Sequence, residues 1–324
     1  MPAQRILITG GGGFLGRRLA ARLLEDADGG GSAEIDEIVL VDQVAVEPTD
    51  PRVRSLVADI RSADLATELA TGPAVVVHLA SVVSAGAEAD WSTAVDVNIR
   101  GLLDVFEACR RAPRPPRFLL TSSVAVFGGE GASEVVGDTT RQTPRSTYGM
   151  TKSVGELLVD DATRKGFVDG RTARLPTVIV RPGQPNAAAS SFCSGVFREP
   201  LAGIDSVVPV GIDTPVVVIG TDTAVAGLAA LTRIDGTALG PVRSVNLPGL
   251  GVTVADMLAT LERVGQDRKL GSVEIQPDPA VEAVVASWPA RWDDARARAL
   301  GLPADESLDA IVDKYLRAVA SAGT

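Results

Sequence analysis

The chain has 324 residues and a formal net charge of −10, with 45% hydrophobic and 22% charged residues, the composition of a globular protein large enough to bury a core. The negative charge argues against nucleic acid and anionic membranes as partners, and no apolar run approaches the roughly 18–20 residues that a membrane helix needs. With two cysteines, one histidine and no signal-peptide pattern, the sequence excludes a disulfide framework, a histidine-based triad and a multi-histidine metal site, so we expect a metal-free cytoplasmic protein.

Strands and helices alternate along the first half of the chain. Continuous apolar runs predict strands at 5–9, 37–42, 53–60, 74–80, 117–123 and 176–183, and helical spacing predicts helices at 14–25, 92–111 and 148–165. This alternation predicts an α/β fold with a doubly wound, parallel sheet of the Rossmann type.

The composition changes after Gly183, where small polar residues are followed by short apolar segments and one predicted strand at 272–275. We therefore predict a dinucleotide-binding domain at 1–183, with returns from about 215–246, and a smaller, partly helical substrate-binding lobe at 184–324. The two parts are expected to be interleaved, with the cofactor at the carboxyl ends of the strands.

The segment TGGGGFLG, residues 9–16, lies between the first predicted strand and the first predicted helix. Its glycines at Gly10, Gly13 and Gly16 permit a tight turn, a close approach of backbone to a pyrophosphate, and packing of the helix on the strand. The helix N-terminus adds N–H groups that favour an anion. We predict that this loop binds a dinucleotide; a tight turn without a ligand is the alternative.

Two carboxylates follow the second and third predicted strands. Asp42 is placed to accept hydrogen bonds from the adenosine ribose hydroxyls and to repel a 2′-phosphate, which favours NAD over NADP, although the nearby cation Arg17 opposes this preference. Asp59 is placed to meet the adenine amine. The alternatives are a turn or capping role for Asp42, and an N-cap role for Asp59 at a helix that begins near Arg61.

Tyr148 and Lys152 stand four residues apart in STYGMTKS, residues 146–153, and therefore share one face of a helix. A free tyrosine has a pKa of about 10. An ammonium about 4 Å away contributes about 4 kcal/mol at an effective dielectric near 20, enough to bring that pKa near 7. The pair suits a tyrosinate base; a chance pair on a helix surface is the alternative.

Several segments together resemble the extended short-chain dehydrogenase/reductase family, which includes NAD-dependent epimerases and dehydratases. The resemblance covers essentially the whole chain. Its marks are TGGGGFLG (9–16), Asp42, Asp59-Ile60, HLAS (78–81), VNIRG (97–101), SSVAVFG (122–128), YGMTK (148–152) and VRPG (180–183).

The resemblance implies a role for each matching residue. Tyr148 would transfer the proton, Lys152 would lower its pKa and hold the nicotinamide ribose, and Ser123 would hydrogen-bond the reacting oxygen. Asn98 would shape the active site, and His78 matches a residue that is neither acid nor base, so we interpret it as structural. NAD contacts are implied for Gly10, Gly13, Phe14, Leu15, Gly16, Asp42, Asp59, Ile60, Leu79, Ala80, Ser81, Asn98, Tyr148, Lys152 and Pro182.

Within the family, RLPTVIVRPG (174–183) and PNAAASSFCSGVFREPLAG (185–203) look like the branch whose members oxidise the 2-hydroxyl of a small sugar acid such as D-erythronate with NAD. In that reaction Tyr148 takes the hydroxyl proton. Arg198 is predicted to bind the substrate carboxylate, with Arg174 and Arg243 as alternatives. The predicted substrate contacts are Ser84, Ser123, Tyr148, Asn186, Ser190, Ser191 and Arg198.

Two other functions use the same fold. NDP-sugar epimerases and dehydratases share the Tyr–Lys–Ser set, but dehydratases usually carry an acidic pair beside the helper hydroxyl, where this chain reads Ser-Ser-Val-Ala at 122–125. Cofactor-sensing regulators often lack the tyrosine, which is present here. The resemblance also implies a homodimer that forms through the helices at 92–111 and 148–165.

Overall fold

The computed structural model describes residues 4–31, 33–128, 135–183 and 188–322. Its strands are β1 Gln4–Thr9, β2 Ile35–Asp42, β3 Val53–Val57, β4 Val75–His78, β5 Arg117–Ser123, β6 Val135–Val136, β7 Asp169–Leu175, β8 Thr177–Ile179, β9 Ser206–Val208, β10 Pro215–Gly220, β11 Ser244–Asn246, β12 Leu250–Thr253, β13 Val273–Ile275 and β14 Arg291–Trp292.

The α-helices connect these strands. They are α1 Phe14–Asp28, α2 Ala63–Ala70, α3 Ser84–Ala89, α4 Trp91–Val95, α5 Leu102–Arg110, α6 Thr147–Arg164, α7 Phe192–Leu201, α8 Thr221–Leu231, α9 Gly236–Leu239, α10 Val254–Val264, α11 Pro279–Val285, α12 Ala295–Ala299 and α13 Leu308–Ala322. A π-helical segment, Asp96–Gly101, joins α4 to α5, and 3-10 turns occur at Val124–Val126 and Ala189–Ser191.

Seven strands form the central sheet in the order β11-β7-β5-β4-β1-β2-β3. Every neighbouring pair in this sheet is parallel, which confirms the predicted α/β class. The strand order reverses between β1 and β4. Ligands of such open sheets bind outside the carboxyl ends of the strands at this reversal.

Both faces of the central sheet are covered, which is why its strands read as continuous apolar runs. On one face, Ile8 belongs to a core that includes Leu19 from α1 and Leu228 from α8. On the other face, the neighbouring residue Leu7 belongs to a core that includes Val105 from α5 and Val159 from α6. The period of two along β1 therefore divides its apolar side chains between two helical layers.

The sixth strand of the sheet was placed wrongly by the sequence pattern. The predicted strand 176–183 is β8, which pairs with β10 in a separate three-stranded sheet, whereas the sixth strand of the central sheet is β7. The arginines Arg171 and Arg174 interrupt the apolar pattern of β7. Both side chains are buried. Arg171 donates hydrogen bonds to the Leu231 and Ile234 carbonyls, and Arg174 forms an ion pair with Glu156.

The part after residue 188 contains more strands than the single one predicted. β10 pairs with β8 and β12, and the pairs β9–β13 and β6–β14 form two small sheets. A third core joins Phe197 of α7, Met257 of α10 and Ile311 of α13. β11 returns to the central sheet beside β7. Division of the chain into a cofactor part and a substrate part stays a prediction.

Within the described ranges, no helix combines the length and the apolar character needed to cross a membrane.

Candidate active site

The glycine loop fits a backbone-bound phosphate group. Gly10 has φ +67°, and a Cβ there would lie 2.7 Å from the Ala80 backbone N, while a Cβ on Gly16 would lie 2.6 Å from the Gly10 carbonyl oxygen. No larger residue fits either position without moving backbone. The first residue before α1, Gly13, caps the helix without a side-chain hydrogen bond. The N-terminal end of α1 therefore faces the loop, as a dinucleotide site requires.

Asp42 is held directly against this loop at the end of β2. Its carboxylate accepts hydrogen bonds from the backbone N–H groups of Gly12, at 2.9 Å, and Gln43, at 2.8 Å. Arg17 donates from Nε to the Gly12 carbonyl oxygen at 2.9 Å. The Asp42 carboxylate and the Arg17 guanidinium thus both bind Gly12. A negative and a positive charge therefore lie at the same end of the loop.

Asp59 stabilises a turn and is not the N-cap residue of helix α2. It accepts from the Arg61 backbone N–H at 2.9 Å, a bond that lowers the pKa of Asp59 below its usual value. Helix α2 begins later and is capped by Ser62. The neighbouring Ile60 packs its side chain against Gly101, where a Cβ would meet Ile60 Cδ1 at 2.4 Å. Contacts of Asp59 and Ile60 with the adenine stay predictions.

A cavity of about 330 Å³ opens at the carboxyl ends of β1, β4 and β5. This volume lies at the small end of the range of about 300–1,000 Å³ typical of ligand sites. It joins the glycine loop to the predicted catalytic residues. The predicted residues that line it are Gly10, Gly13, Phe14, Leu15, Gly16, Leu79, Ser81, Ser84, Ser123, Tyr148, Lys152 and Ser190.

Tyr148 and Lys152 begin α6 and share one face of it. Lys152 Nζ lies 5.6 Å from the centroid of the Tyr148 ring, and Lys152 is 5% exposed. Ser123 ends β5, and its hydroxyl accepts from the Ala125 backbone N–H at 3.2 Å. Ser123 also forms a hydrogen bond with the Tyr148 side chain. The structure thus brings the three predicted residues together.

The pKa values differ from the expectation based on spacing. Desolvation raises the pKa of Tyr148 to about 12, against the smaller lowering effects of the Ser123 hydrogen bond and the Arg181 charge. Burial lowers the pKa of Lys152 to about 8, although the Glu156 charge raises it. Desolvation of Tyr148 outweighs the nearby lowering effects, so its spacing from Lys152 does not by itself bring its pKa near 7. A tyrosinate at neutral pH therefore needs a further positive charge in the cavity.

Asn98 lies inside the π-helical segment and joins three elements. Its Oδ1 accepts from the Val82 backbone N–H at 2.8 Å, and its Nδ2 donates to the Val82 carbonyl at 3.0 Å and to Thr151 Oγ1 at 3.0 Å. Ser81 Oγ also approaches Asn98 Oδ1 at 3.2 Å. Asn98 therefore orders the segment after β4 against the catalytic helix, and π-helical turns of this kind often occur at functional sites.

His78 has the properties of a core residue. It is 2% exposed, and its Nδ1 shares a hydrogen bond with Thr9 Oγ1 at 2.8 Å. Burial, and to a lesser extent the Lys152 charge, lower the pKa of His78 to about 3. The ring is neutral throughout the neutral range, which supports its structural interpretation.

Arg198 does not reach the cavity, contrary to its predicted role. Its guanidinium pairs with Glu199 at 2.5 Å and donates to the Arg181 carbonyl oxygen at 2.9 Å. The alternatives are also engaged elsewhere, Arg174 with Glu156 and Arg243 with Asp169. Among the described residues, the arginine that lines the cavity is Arg181, which the pattern VRPG contains but which was not assigned a role.

The remaining predicted contacts lie in different places. Asn186 falls outside the described residues. Ser191 belongs to the same 3-10 turn as Ser190 but not to the cavity lining. Pro182 borders a second cavity of about 190 Å³ beside α8 and α13, and Pro176 lines the main cavity instead. Ala80 closes on the glycine loop through its backbone.

Several further lining residues were not predicted as site residues, among them Thr177 and Trp288. Thr177 begins β8, directly after Pro176 and the unpredicted strand β7. Trp288 follows α11 and adds an aromatic wall. Thr177 lies within RLPTVIVRPG but was not assigned a role, whereas Trp288 follows no motif and reaches the cavity through the packing of the C-terminal part.

Comparison with known proteins agrees with this geometry. Residues 6–226 match the model of the NAD dependent epimerase/dehydratase family. The chain is 44% identical over 318 residues to a D-erythronate dehydrogenase of Cupriavidus necator, covering 97% of this chain and 98% of that protein. It is 39% identical over 316 residues to a D-erythronate dehydrogenase of Haemophilus influenzae, covering 97% and 99%.

Among solved structures, the chain is similar to a nucleoside-diphosphate-sugar epimerase from Agrobacterium tumefaciens, with a TM-score of 0.88, 34% identity, and coverage of 96% of this chain and 92% of the other. The chain therefore belongs to the NAD dependent epimerase/dehydratase family. This confirms the resemblance found in the sequence, the Rossmann-type fold and NAD as the cofactor. The two curated relatives that it matches over almost their whole length are both dehydrogenases.

Proposed function

We propose that this protein oxidises the 2-hydroxyl of D-erythronate, or of a closely similar 2-hydroxy sugar acid, to the 2-keto acid with reduction of NAD. The observation that carries the proposal is a small cavity in which Tyr148 and Ser123 lie with Arg181, so that a proton acceptor and a cation share one compact site. The identity to two D-erythronate dehydrogenases over nearly the full chain supports the choice of substrate.

Tyr148, Ser123 and Lys152 have separate roles in the proposed proton transfer. Tyr148 accepts the proton of the substrate hydroxyl, and Ser123 donates a hydrogen bond to the same oxygen as its charge develops. NAD, when bound, supplies the hydride acceptor and the positive charge that favours the tyrosinate. The Lys152 ammonium supports the phenolate electrostatically.

Arg181 replaces Arg198 as the proposed partner of the substrate carboxylate. Arg181 lines the cavity, and its charge acts on Tyr148. A cation within electrostatic reach of the base can bind a carboxylate on the carbon next to the reacting hydroxyl. Arg198 then supports this arrangement through its bond to the Arg181 carbonyl oxygen.

An NDP-sugar epimerase is the second candidate, since a solved structure at 34% identity carries that description. A nucleotide-sugar needs a long cleft with a surface for base stacking and several contacts to a pyrophosphate. The cavity of about 330 Å³ also includes the glycine loop that the dinucleotide would occupy. Beyond that loop, the described lining places a single arginine, Arg181, beside the catalytic residues, which suits one carboxylate better than a pyrophosphate.

Deuterium at carbon 2 of D-erythronate tests the proposed position of oxidation. We expect the label to appear in the reduced nicotinamide, with a primary isotope effect on kcat/KM. Retention of deuterium in the oxidised product would place the reaction at another carbon and would contradict the proposal.

The Asp42 carboxylate predicts the preference for NAD. Replacing it with Asn keeps an acceptor for the Gly12 N–H but removes the charge that would repel a 2′-phosphate. We expect the ratio of kcat/KM for NAD to that for NADP to fall roughly 10- to 100-fold, since a charge-assisted contact contributes about 1.5–3 kcal/mol. The reciprocal variant Arg17→Ala is expected to raise the ratio. A wild-type preference for NADP would contradict the assignment.

A homodimer is proposed from the family resemblance, and exposed apolar side chains support it. Trp91 of α4 is 61% exposed, Leu103 of α5 is 46% exposed and Leu157 of α6 is 66% exposed. Replacing Leu157 with Asp is expected to convert a dimer to a monomer in light scattering, whereas the control Ile212→Asp, at another exposed apolar position, leaves the mass unchanged. A monomeric wild type would refute the proposal.

A further inference from the structure

A buried carboxylate follows the catalytic pair on the same face of α6. Tyr148, Lys152 and Glu156 are spaced four residues apart, so they form one stripe along the helix. Glu156 is 2% exposed. A carboxylate at such a depth costs several kcal/mol unless it is paired and hydrogen-bonded, so its partners indicate what it is for.

The partners of Glu156 surround both of its oxygens. Oε1 accepts from Ser122 Oγ at 2.5 Å and from Arg174 Nε at 3.0 Å, and Oε2 accepts from Arg174 at 2.7 Å. Oε2 also accepts from Gln142 Nε2 at 2.5 Å and Ser244 Oγ at 2.8 Å. Because these donors come from β5, β7, β11 and the segment before α6, one carboxylate joins the catalytic helix to three strands.

The bond to Ser122 connects this cluster to the reacting atoms. Ser122 immediately precedes Ser123, the residue that hydrogen-bonds the substrate oxygen in the proposed reaction, and it pairs in register with Arg174 on the neighbouring strand. Ser122 and Arg174 are therefore held by the same carboxylate as well as by the sheet. The end of β5 cannot shift along α6 without breaking these bonds.

We propose that Glu156 is a positioning residue, which fixes the end of β5 with Ser123 against Tyr148 and Lys152 and places a carboxylate one helical turn beyond Lys152. The proposal rests on the proposed function, because it assumes that Ser123, Tyr148 and Lys152 carry the reaction. Neither the family match nor the names of the relatives assign a role to Glu156.

The charge of Glu156 gives the proposal a consequence for pH dependence. Its negative charge raises the pKa of Lys152 against the lowering effect of burial. Arg174 behind it partly offsets this charge, and His78 is neutral because its pKa is lowered to about 3. Among the described charged or titratable groups, His78 on β4 and Tyr148 and Glu156 on α6 interact with Lys152, and Arg174 on β7 and Asp160 on α6 interact in turn with Glu156.

The variant Glu156→Gln tests both consequences. We expect kcat to fall roughly 10-fold with little change in the Kd for NAD, because displacement of a positioned group by a fraction of an ångström costs rate more than binding. The pKa of Lys152 falls when the nearby negative charge is removed, so activity that needs the ammonium is lost at lower pH. The alkaline limb of the kcat/KM profile should move down by about one pH unit.

Two further variants separate positioning from stability. Asp305→Asn is the matched control, because Asp305 is a buried carboxylate that accepts from the Gly220 N–H at 2.7 Å and Thr223 Oγ1 at 2.5 Å, remote from the catalytic stripe. It should lower the Tm without moving the pH profile. Ser122→Ala removes the hydrogen bond between Glu156 and β5 but keeps the Glu156 carboxylate, so it should lower kcat without moving the alkaline limb. If Glu156→Gln fails to fold, Ser122→Ala still tests the positioning role.

Different outcomes would contradict the proposed function and the positioning role of Glu156. If no sugar acid supports the reduction of NAD by the wild-type protein, the proposed function itself is contradicted. An active wild type whose kcat is unchanged by both Glu156→Gln and Ser122→Ala contradicts the positioning role alone. A pH profile that shifts equally in Asp305→Asn would also overturn it, since the effect would then follow general destabilisation.

Discussion

Replacing Tyr148 with phenylalanine is expected to reduce kcat at least about 100-fold, the usual contribution of a positioned general base. The substitution removes the hydroxyl that accepts the proton and keeps the ring that packs beside Lys152. The Kd for NAD should change little, because the ring volume in the cavity is preserved. Steady-state kinetics together with NAD titration by fluorescence measure both effects.

The chain supplies its own control for this prediction, since its second tyrosine is Tyr315 on α13. Tyr315→Phe makes the same chemical change outside the main cavity and should leave kcat within about two-fold of wild type, as expected for a residue without a role in proton transfer. If Tyr148→Phe turned over at a rate within a few-fold of wild type, Tyr148 would have no part in the mechanism.

Replacing Arg181 with methionine is expected to raise the KM for the sugar acid about 10- to 100-fold, since a charge-assisted contact contributes about 1.5–3 kcal/mol. The KM for NAD should change much less. The loss of a cation near Tyr148 also raises the pKa of the phenol, because the Arg181 charge lowers it in the wild type. The acid limb of the pH profile should therefore move to higher pH.

Arg243→Met is the matched control for Arg181, because Arg243 was an alternative for the carboxylate and pairs with Asp169 instead. It should leave the KM for the acid unchanged. A neutral polyol without a carboxylate provides the second comparison, as Arg181→Met should reduce the preference for the acid over the polyol. An unchanged preference would show that Arg181 does not bind the carboxylate.

The parts of the site that follow local chemistry were predictable from the sequence. Gly10 and Gly16 are required where the backbone of one segment meets another, and the resulting pattern is continuous in the chain. The spacing of Tyr148 and Lys152 follows from the helical repeat alone. Ser123 was found through the resemblance and ends a strand whose bounds, 117–123, the apolar pattern predicted correctly.

The parts that failed depend on partners distant in the chain. Strand β7 was missed because Arg171 and Arg174 interrupt its apolar pattern, and the groups that neutralise them, the Leu231 carbonyl and Glu156, come from other elements. For Arg198 the cause is local instead, since the adjacent Glu199 pairs with its guanidinium and keeps it out of the cavity lining.

The electrostatics of the catalytic pair could not be derived from spacing. The distance between Lys152 and Tyr148 follows from the helix, but the degree of desolvation depends on the tertiary packing around both side chains. Burial raises the pKa of Tyr148 to about 12 and lowers that of Lys152 to about 8. In such a site the Tyr148 phenolate beside the Lys152 ammonium is favoured only when a further positive charge enters the cavity.

Incubation of the purified protein with NAD and a panel of sugar acids and UDP-hexoses, followed by absorbance of NADH, tests the central claim most directly. The proposed function predicts stoichiometric NADH formation with D-erythronate or a close 2-hydroxy sugar acid and no turnover of UDP-glucose or UDP-galactose. Efficient epimerisation of a UDP-hexose, with no NADH accumulating from any sugar acid, would contradict it.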